Sequence, residues 1–319
     1  MRIAISLLLL AATAALHLLS PYGALEVARS IDPALATTLL VELRLPRTLL
    51  ALGYGATLGI AGAALQALFA NPLASPDITG SSSGAAMGAV LASYWLGVSS
   101  PLGMALAGAL GAGLALVILL ALAGRRTDKV ALLLAGLAVS LAAGAATSLL
   151  LALAPSPFAF YDAFDWLMGG FTDRTLGQAA AALIPAAFAC ALLLRRSRAL
   201  DLMALGDDVL ASLGHRPRRL GIEIICLSAI AVGACVSVCG AIGFVGLIAP
   251  VIARRLARGH PGRALAPAGL IGGALVTGAD LLVRAIPLDR PIPIGVLTTL
   301  LGTPVFIAIL LSMRARMAS

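Results

Sequence analysis

The sequence predicts an all-α polytopic membrane protein of about ten transmembrane helices, forming a single transmembrane domain over 1–319. Three observations predict it. First, 61% of the residues are hydrophobic and only 11% are charged, where a soluble domain carries about 25% charged residues. Second, the apolar runs are long and continuous, unlike the alternating segments of about 10 residues that build a membrane barrel. Third, aromatics are scarce and glycines number 34. Small residues let helix backbones approach closely in lipid, where no hydrophobic effect drives helices together.

The elements follow in order. Residues 3–20 are apolar after Arg2. A signal peptide shares that pattern, but the many spans downstream favour a retained first helix. Residues 21–43 read as a mixed loop with Glu26, Arg29, Asp32 and Glu42. A second span, 48–70, is entered through Arg44-Leu45-Pro46-Arg47 and ends at Asn71-Pro72, where proline stops a helix. Gly55, Gly59 and Gly62 place small residues on a packing face of that span. Gln66, its strongly polar side chain, suits an interhelical hydrogen bond or a place on a pathway.

Residues 80–98 and 101–123 are two further spans, and 124–129 is a basic turn. Residues 130–153 span again. The loop at about 154–177 is aromatic and acidic, with Asp162, Asp165 and Asp173, and its middle reads as a short interfacial helix. Spans at 178–194 and 220–239 flank a long polar interruption. A glycine-rich break at 240–246 leads into a short helix over 244–257. Spans at 264–286 and 295–312 finish the set. Short, glycine-broken segments persist in a membrane only inside protein or beside a water-filled cavity. That favours a pathway over a simple anchor.

The net charge of +8 reflects sidedness rather than nucleic-acid binding. The N-terminus, the 124–129 turn, the 195–219 stretch, the 254–263 segment and the C-terminus together hold 16 of the 22 Arg and Lys. The Arg-rich side is expected in the cytoplasm, with both termini there and the 154–177 loop outside.

The interruption at about 195–219 then becomes a cytoplasmic loop. Leu202, Leu205, Val209, Leu210 and Leu213 recur at helical spacing beside Asp201, Asp207 and Asp208, and Gly206 and Gly214 punctuate the segment. A short amphipathic helix over 202–213, flanked by arginines, is a feature that another protein grips.

Catalytic signatures are missing. The chain has no Gly-Lys-Ser/Thr of a P-loop and no HExxH. Adjacent Asp207 and Asp208 point apart on a helix and form no dyad. An enzyme is not expected, and any ATP used would sit on another chain. Cys190, Cys226, Cys235 and Cys239 lie in apolar runs without further ligands, so they read as small buried residues, not a metal site. His17, His215 and His260 lie in different segments and read as unremarkable. Asp280 stands four before Arg284, and Glu223 four after Arg219, so both carboxylates read as helix-end pairs. An ion-coupled carrier needs ionisable groups deep in the membrane, and this interior is nearly free of them.

Several motifs together resemble the permease subunit of ABC importers for iron–siderophore complexes, haem and vitamin B12, the large type II importers. They are RLPR at 44–47, GAALQALFANPLASPDITGSSSGA at 62–85, WLMGGF at 166–171, ALGDDVLASLG at 204–214, GAIGFVGLIAP at 240–250, ADLLVR at 279–284 and PIGVLTTLLGTPVF at 293–306. The order and spacing carry the resemblance over nearly the whole length. Val251, Pro291 and Ala70 depart from residues common in that family.

The resemblance implies ten helices per subunit and a second permease subunit, by default an identical copy. It also implies two copies of an ABC ATPase holding ATP and Mg, and a periplasmic or lipoprotein binding protein. No cofactor is expected on this chain itself, which would lie in the inner membrane among lipid. By motif position, ATPase coupling falls to Asp201, Leu202, Leu205, Gly206, Asp207, Asp208, Leu213 and Gly214. Docking of the binding protein falls to Arg44, Arg47 and Arg284, and the pathway or gate to Gln66, Asn71 and Leu73. The alternatives are a secondary transporter driven by an ion gradient and a non-transporting assembly or receptor subunit.

Overall fold

The computed structural model describes residues 2–98, 100–124, 129–286 and 292–317. Most of the basic turn (125–128), together with Arg290 and Pro291, therefore lies outside the described residues. The fold is all-α, with no strand among the described residues. The first helix, α1 (Arg2–Leu19), is followed by α2 (Tyr22–Ile31) and α3 (Pro33–Thr38). The mixed loop expected over 21–43 is thus largely helical. Its inward face buries Leu25 and Ala28. Asp32 caps α3 by accepting from the Ala34 N–H at 2.8 Å, with Pro33 in the first turn.

A π segment, Leu39–Arg44, joins α3 to α4 (Leu45–Leu68) without a break. Pro46 explains the widened turn: it has no N–H for the Glu42 carbonyl, and its ring crowds that carbonyl. The continuous helix Pro33–Leu68 has 36 residues, about 54 Å at 1.5 Å per residue. This exceeds a hydrocarbon core of about 30 Å, so its first turns stand beyond the bilayer.

After a 3₁₀ turn at Pro76–Thr79 come α5 (Ser81–Trp95), α6 (Pro101–Ala123) and α7 (Lys129–Ala152). The expected interfacial helix is α8 (Pro157–Leu167), which exposes Phe158 and Tyr161 and stacks Phe160 on Phe164 at 5.9 Å. Then follow α9 (Leu176–Arg195), α10 (Ser197–Met203), α11 (Asp207–Ser212), α12 (Pro217–Cys239), α13 (Val245–Leu256), α14 (Leu265–Ala285) and α15 (Ile294–Met317). Each of the ten expected segments is a helix. Six helices among the described residues are long and apolar enough to cross a membrane; Leu10–Leu19 of α1 and Ile294–Ala308 of α15 are shorter apolar stretches, and α5 and α13 are short helices of 15 and 12 residues.

α4 is the central rod. It packs against α14, α13, α9 and α12, and 78% of its most apolar stretch is buried, against 33% for α6 and α7. Those two turn Leu106, Leu110, Leu114 and Leu141 outward, where lipid replaces protein. The glycine face expected on α4 is present. A Cβ at Gly55 would overlap the Gly272 carbonyl, and one at Gly59 the Ala268 carbonyl. The α4–α14 seam is therefore backbone against backbone.

The break after α12 leaves polar backbone groups in an apolar setting, and neighbours satisfy them. Tyr54 Oη donates to the Gly240 carbonyl at 3.1 Å. The Gly170 N–H donates to Cys239 O at 2.8 Å, and the Ile294 N–H to Gly169 O at 3.1 Å. Phe244 takes a left-handed φ of 66° at the start of α13, its ring edge-on to Phe306 at 6.4 Å.

Candidate functional site

Two polar regions stand out, one at each end of the α4–α14 pair. At one end is the loop between α9 and α12. The single helix expected over 202–213 is in fact two, because Gly206 adopts φ 105° and separates α10 from α11. In α10, Ala199, Leu200 and Met203 are buried. In α11, Leu210 is fully buried, while Asp207 and Asp208 sit in the first turn, where carboxylates suit the positive helix end. Gly214, with φ 82°, closes α11, and the His215 N–H returns to Leu210 O at 3.2 Å.

Three large apolar side chains of the loop remain exposed: Leu205 at 64%, Val209 at 40% and Leu213 at 55%. These residues are spaced by four, and Asp208 is exposed between them. Leu202 is only half-exposed. Asp201 faces inward, its Oδ1 accepting from the Gly262 N–H at 2.8 Å. Asp207 pairs with Lys129, at 2.7 Å. Glu223 does not pair with Arg219 as its spacing suggested; it accepts from Arg196 Nε at 2.8 Å, tying the end of α9 to α12. Arg196 caps α9 beside the first turns of α12 and reaches the carboxylate from the neighbouring helix.

At the opposite end lies a buried ion cluster. Asp280 of α14 is fully buried. Its Oδ1 accepts from Arg47 Nη2 and its Oδ2 from Arg47 Nε, both at 2.8 Å. Oδ2 also accepts from Arg284 Nε at 3.1 Å and from His17 Nε2 at 2.7 Å. His17, fully buried, places Nδ1 2.8 Å from Thr48 Oγ1, which itself donates to Arg44 O at 2.8 Å.

The remaining guanidinium donors go to the end of α1. Arg44 donates to the carbonyls of Leu19 and Pro21 at 2.9 and 3.0 Å, and Arg284 to those of His17 and Ser20 at 3.1 and 3.2 Å. A helix end leaves such carbonyls without intrahelical partners and carries a partial negative charge, so two cations complete it. The Asp280–Arg284 pair follows the sequence spacing. His17 corrects the unremarkable reading given to it, since its partners lie 263 and 31 residues away. A histidine closing the first apolar helix was the available signal.

The residues assigned to a gate lie near the loop end. Gln66 Nε2 donates to Leu247 O at 3.1 Å, an interhelical bond from α4 to α13. Gln66 also lines a small crevice with Pro250, Arg254, Pro261 and Ala264. Asn71 Oδ1 accepts from the Leu73 N–H at 2.9 Å, fixing the turn after α4, and Leu73 is 40% exposed. Cys190, Cys235 and Cys239 are buried free thiols and Cys226 is partly buried. Among the described residues no three His, Cys, Asp or Glu gather to hold a metal ion.

A multi-pass helical bundle with a broken helix, a sealed ion cluster at one end and an apolar-faced loop at the other defines a membrane transport permease. Residues 3–312 match the FecCD transport family, and the chain belongs to it. It is 36% identical to the cobalamin import system permease protein of Halobacterium salinarum, covering 91% of this chain and 79% of the relative. It is 35% identical to the hemin transport system permease of Yersinia pestis, over 86% and 83% of the two chains. The Fe(3+) dicitrate transport system permease of Escherichia coli matches at 35%, with the same coverage. A metal-chelate-type ABC transporter solved in an inward-facing conformation superposes with a TM-score of 0.85 at 30% identity, covering 96% of this chain and 97% of the other.

Proposed function

We propose that this chain forms the translocation pathway of an ATP-driven importer of a metal chelate, working by alternating access with ATP hydrolysed on separate ATPase subunits. The observation that carries the reading is the family match over 3–312, together with an apolar loop face at Leu205, Val209 and Leu213 that is exposed among the described residues. One ATPase copy would dock on that face of each of two permease subunits in the cytoplasm, where the 16 basic residues of this side favour its placement. Both termini would be cytoplasmic, and a second copy of this chain would complete the pathway.

Of the arginines assigned to docking an acidic binding protein on the outer side, Arg44 is buried and Arg284 is 12% exposed, both spending donors on the end of α1. Arg47, with 20% of its side chain exposed, is the arginine within reach, and such rim charges steer and orient more than they add affinity. Gln66, Asn71 and Leu73 would bound the inner end of the pathway. Permeases for ferric citrate, achromobactin, haemin and cobalamin are related at 35–37% identity. Identity does not separate these substrates, and a ferric siderophore is the first to test.

The test is uptake into proteoliposomes holding the permease, its ATPase and its binding protein, with radiolabelled ferric citrate, ferric achromobactin, haemin and cobalamin as probes. Uptake should require ATP and ignore a protonophore. Uptake driven by a proton gradient without ATP would instead establish a secondary carrier. Against that alternative, Asp280 is saturated by His17, Arg47 and Arg284, which leaves no free carboxylate oxygen for a coupling ion.

A further inference from the structure

The loop between α9 and α12 is fastened to the membrane body by contacts of unequal quality. The ion pairs Lys129–Asp207 and Arg196–Glu223 are open to water, with side chains 30–49% exposed, and are screened by salt. The bond from the Gly262 N–H to Asp201 Oδ1 is different. It is partly buried, and it sits on a seam with no slack. A Cβ at Gly262 would overlap the carbonyl of Ser197, so the first turn of α10 rests directly on the backbone of the turn joining α13 to α14. Around it, Ala199, Leu200 and Met203 of α10 share one apolar core with Ala264, Leu265 and Ala268 at the start of α14.

From that turn α14 runs 21 residues, about 30 Å, along α4 with backbone touching backbone. It ends at Asp280 and Arg284 in the ion cluster. The other partner of the turn, α13, holds Gln66 through the Leu247 carbonyl. A push on α10 therefore meets a continuous chain of rigid contacts through Gly262. A push relayed by Lys129 meets a solvated pair.

We propose that Asp201 is the positioning residue through which movement of this loop reaches α13 and α14, and that it lies outside the ATPase contact surface. The proposal rests on the reading of the loop as an ATPase dock. It assigns the two faces of the loop separate tasks: Leu205, Val209 and Leu213 grip the partner, and Asp201 holds the membrane.

The experiment uses the full transporter in proteoliposomes, with whichever of ferric citrate, ferric achromobactin, haemin or cobalamin the wild type accumulates. Asp201→Ala and Gly262→Ala should retain the ATPase on co-purification, while uptake per ATP hydrolysed falls about tenfold. Asp201→Asn keeps an acceptor oxygen and should stay near wild type. The double variant should be no worse than the weaker single one, as expected of two partners in one contact.

A folded Asp201→Ala that loses its ATPase would move Asp201 onto the contact surface, and an unchanged uptake ratio in both single variants would remove it from transmission. Hydrogen exchange on the unmutated complex tests the same point independently of variant folding. The Gly262 amide should stay protected with and without ATP, and its release on ATP binding overturns the proposal. Leu205→Asp with Leu213→Asp reports on the dock alone: if that variant keeps its ATPase, the docking reading fails whatever Asp201 does.

Discussion

The two ends of the α4–α14 pair use charge in opposite ways. At the end that holds the ion cluster one buried carboxylate collects two guanidiniums and an imidazole, and the spare donors close the carbonyl end of α1. At the loop end the carboxylates are spread out. Asp201 turns inward, Asp207 and Glu223 make exposed pairs, and Asp208 faces water beside exposed leucines. Burial makes the first set costly to disturb and rigid. Exposure makes the second adjustable and leaves apolar surface for a partner. The comparison teaches that ion pairs in this protein fix geometry where they are dry and leave it free where they are wet.

Asp280→Ala should separate the two ends most sharply. It leaves Arg47 and Arg284 without their counter-charge, and breaking a buried pair costs about 3–5 kcal/mol. A detergent melting curve should show a large loss of stability or no folded protein. A wild-type melt would mean that the cluster does not hold this end of the bundle together.

Leu205→Asp with Leu213→Asp should do the reverse. Permease stability should be unaffected, while ATPase binding weakens by about 2 kcal/mol or more, the scale of an interface anchor. Titration of purified ATPase onto the detergent-solubilised permease measures it.

His17→Ala comes next, at about 1–3 kcal/mol, because it strips a hydrogen-bond partner from Asp280 and from Thr48 in a buried site. The same melting assay applies, and an effect as large as that of Asp280→Ala would assign the histidine a greater share than its geometry gives.

The smallest effect is expected from Lys129→Ala, which removes an exposed pair worth about 0–1 kcal/mol. Its difference from wild type should vanish in high salt. A salt-insensitive loss would show that this contact is drier than the structure has it.

Much of this was legible from residues alone, because the signals are local. Apolar runs marked all ten segments, and Gly55 and Gly59 marked a packing face on α4, though not that α14 would fill it. Gln66, lone and polar, marked an interhelical bond, and Phe158 to Phe164 marked an interfacial helix. What escaped were matters of partner choice. Glu223 had an arginine at helical spacing and a better-placed one 27 residues away. His17 depends on Asp280 from the far end of the chain. The segment 21–43 looked irregular because its charges obscured a short apolar face at Leu25 and Ala28. Gly206 was visible as punctuation, but only its positive φ shows that it divides the loop helix in two.

The capping of α1 also sets an order of assembly. α1 leaves the ribosome well before α14, yet the carboxylate that holds His17 and the Arg284 guanidinium that reaches the His17 carbonyl belong to residues made about 263 positions later. At about 5–20 residues per second of synthesis, that is a wait of roughly 13–50 seconds. Until α14 is inserted, the end of the first helix has only Arg44 as its cation, and His17 has Thr48 but no carboxylate. Its final seating is therefore among the last events of biogenesis, and a cysteine introduced at His17 should react with thiol labels in a chain truncated before residue 280 and be excluded from them in the finished protein.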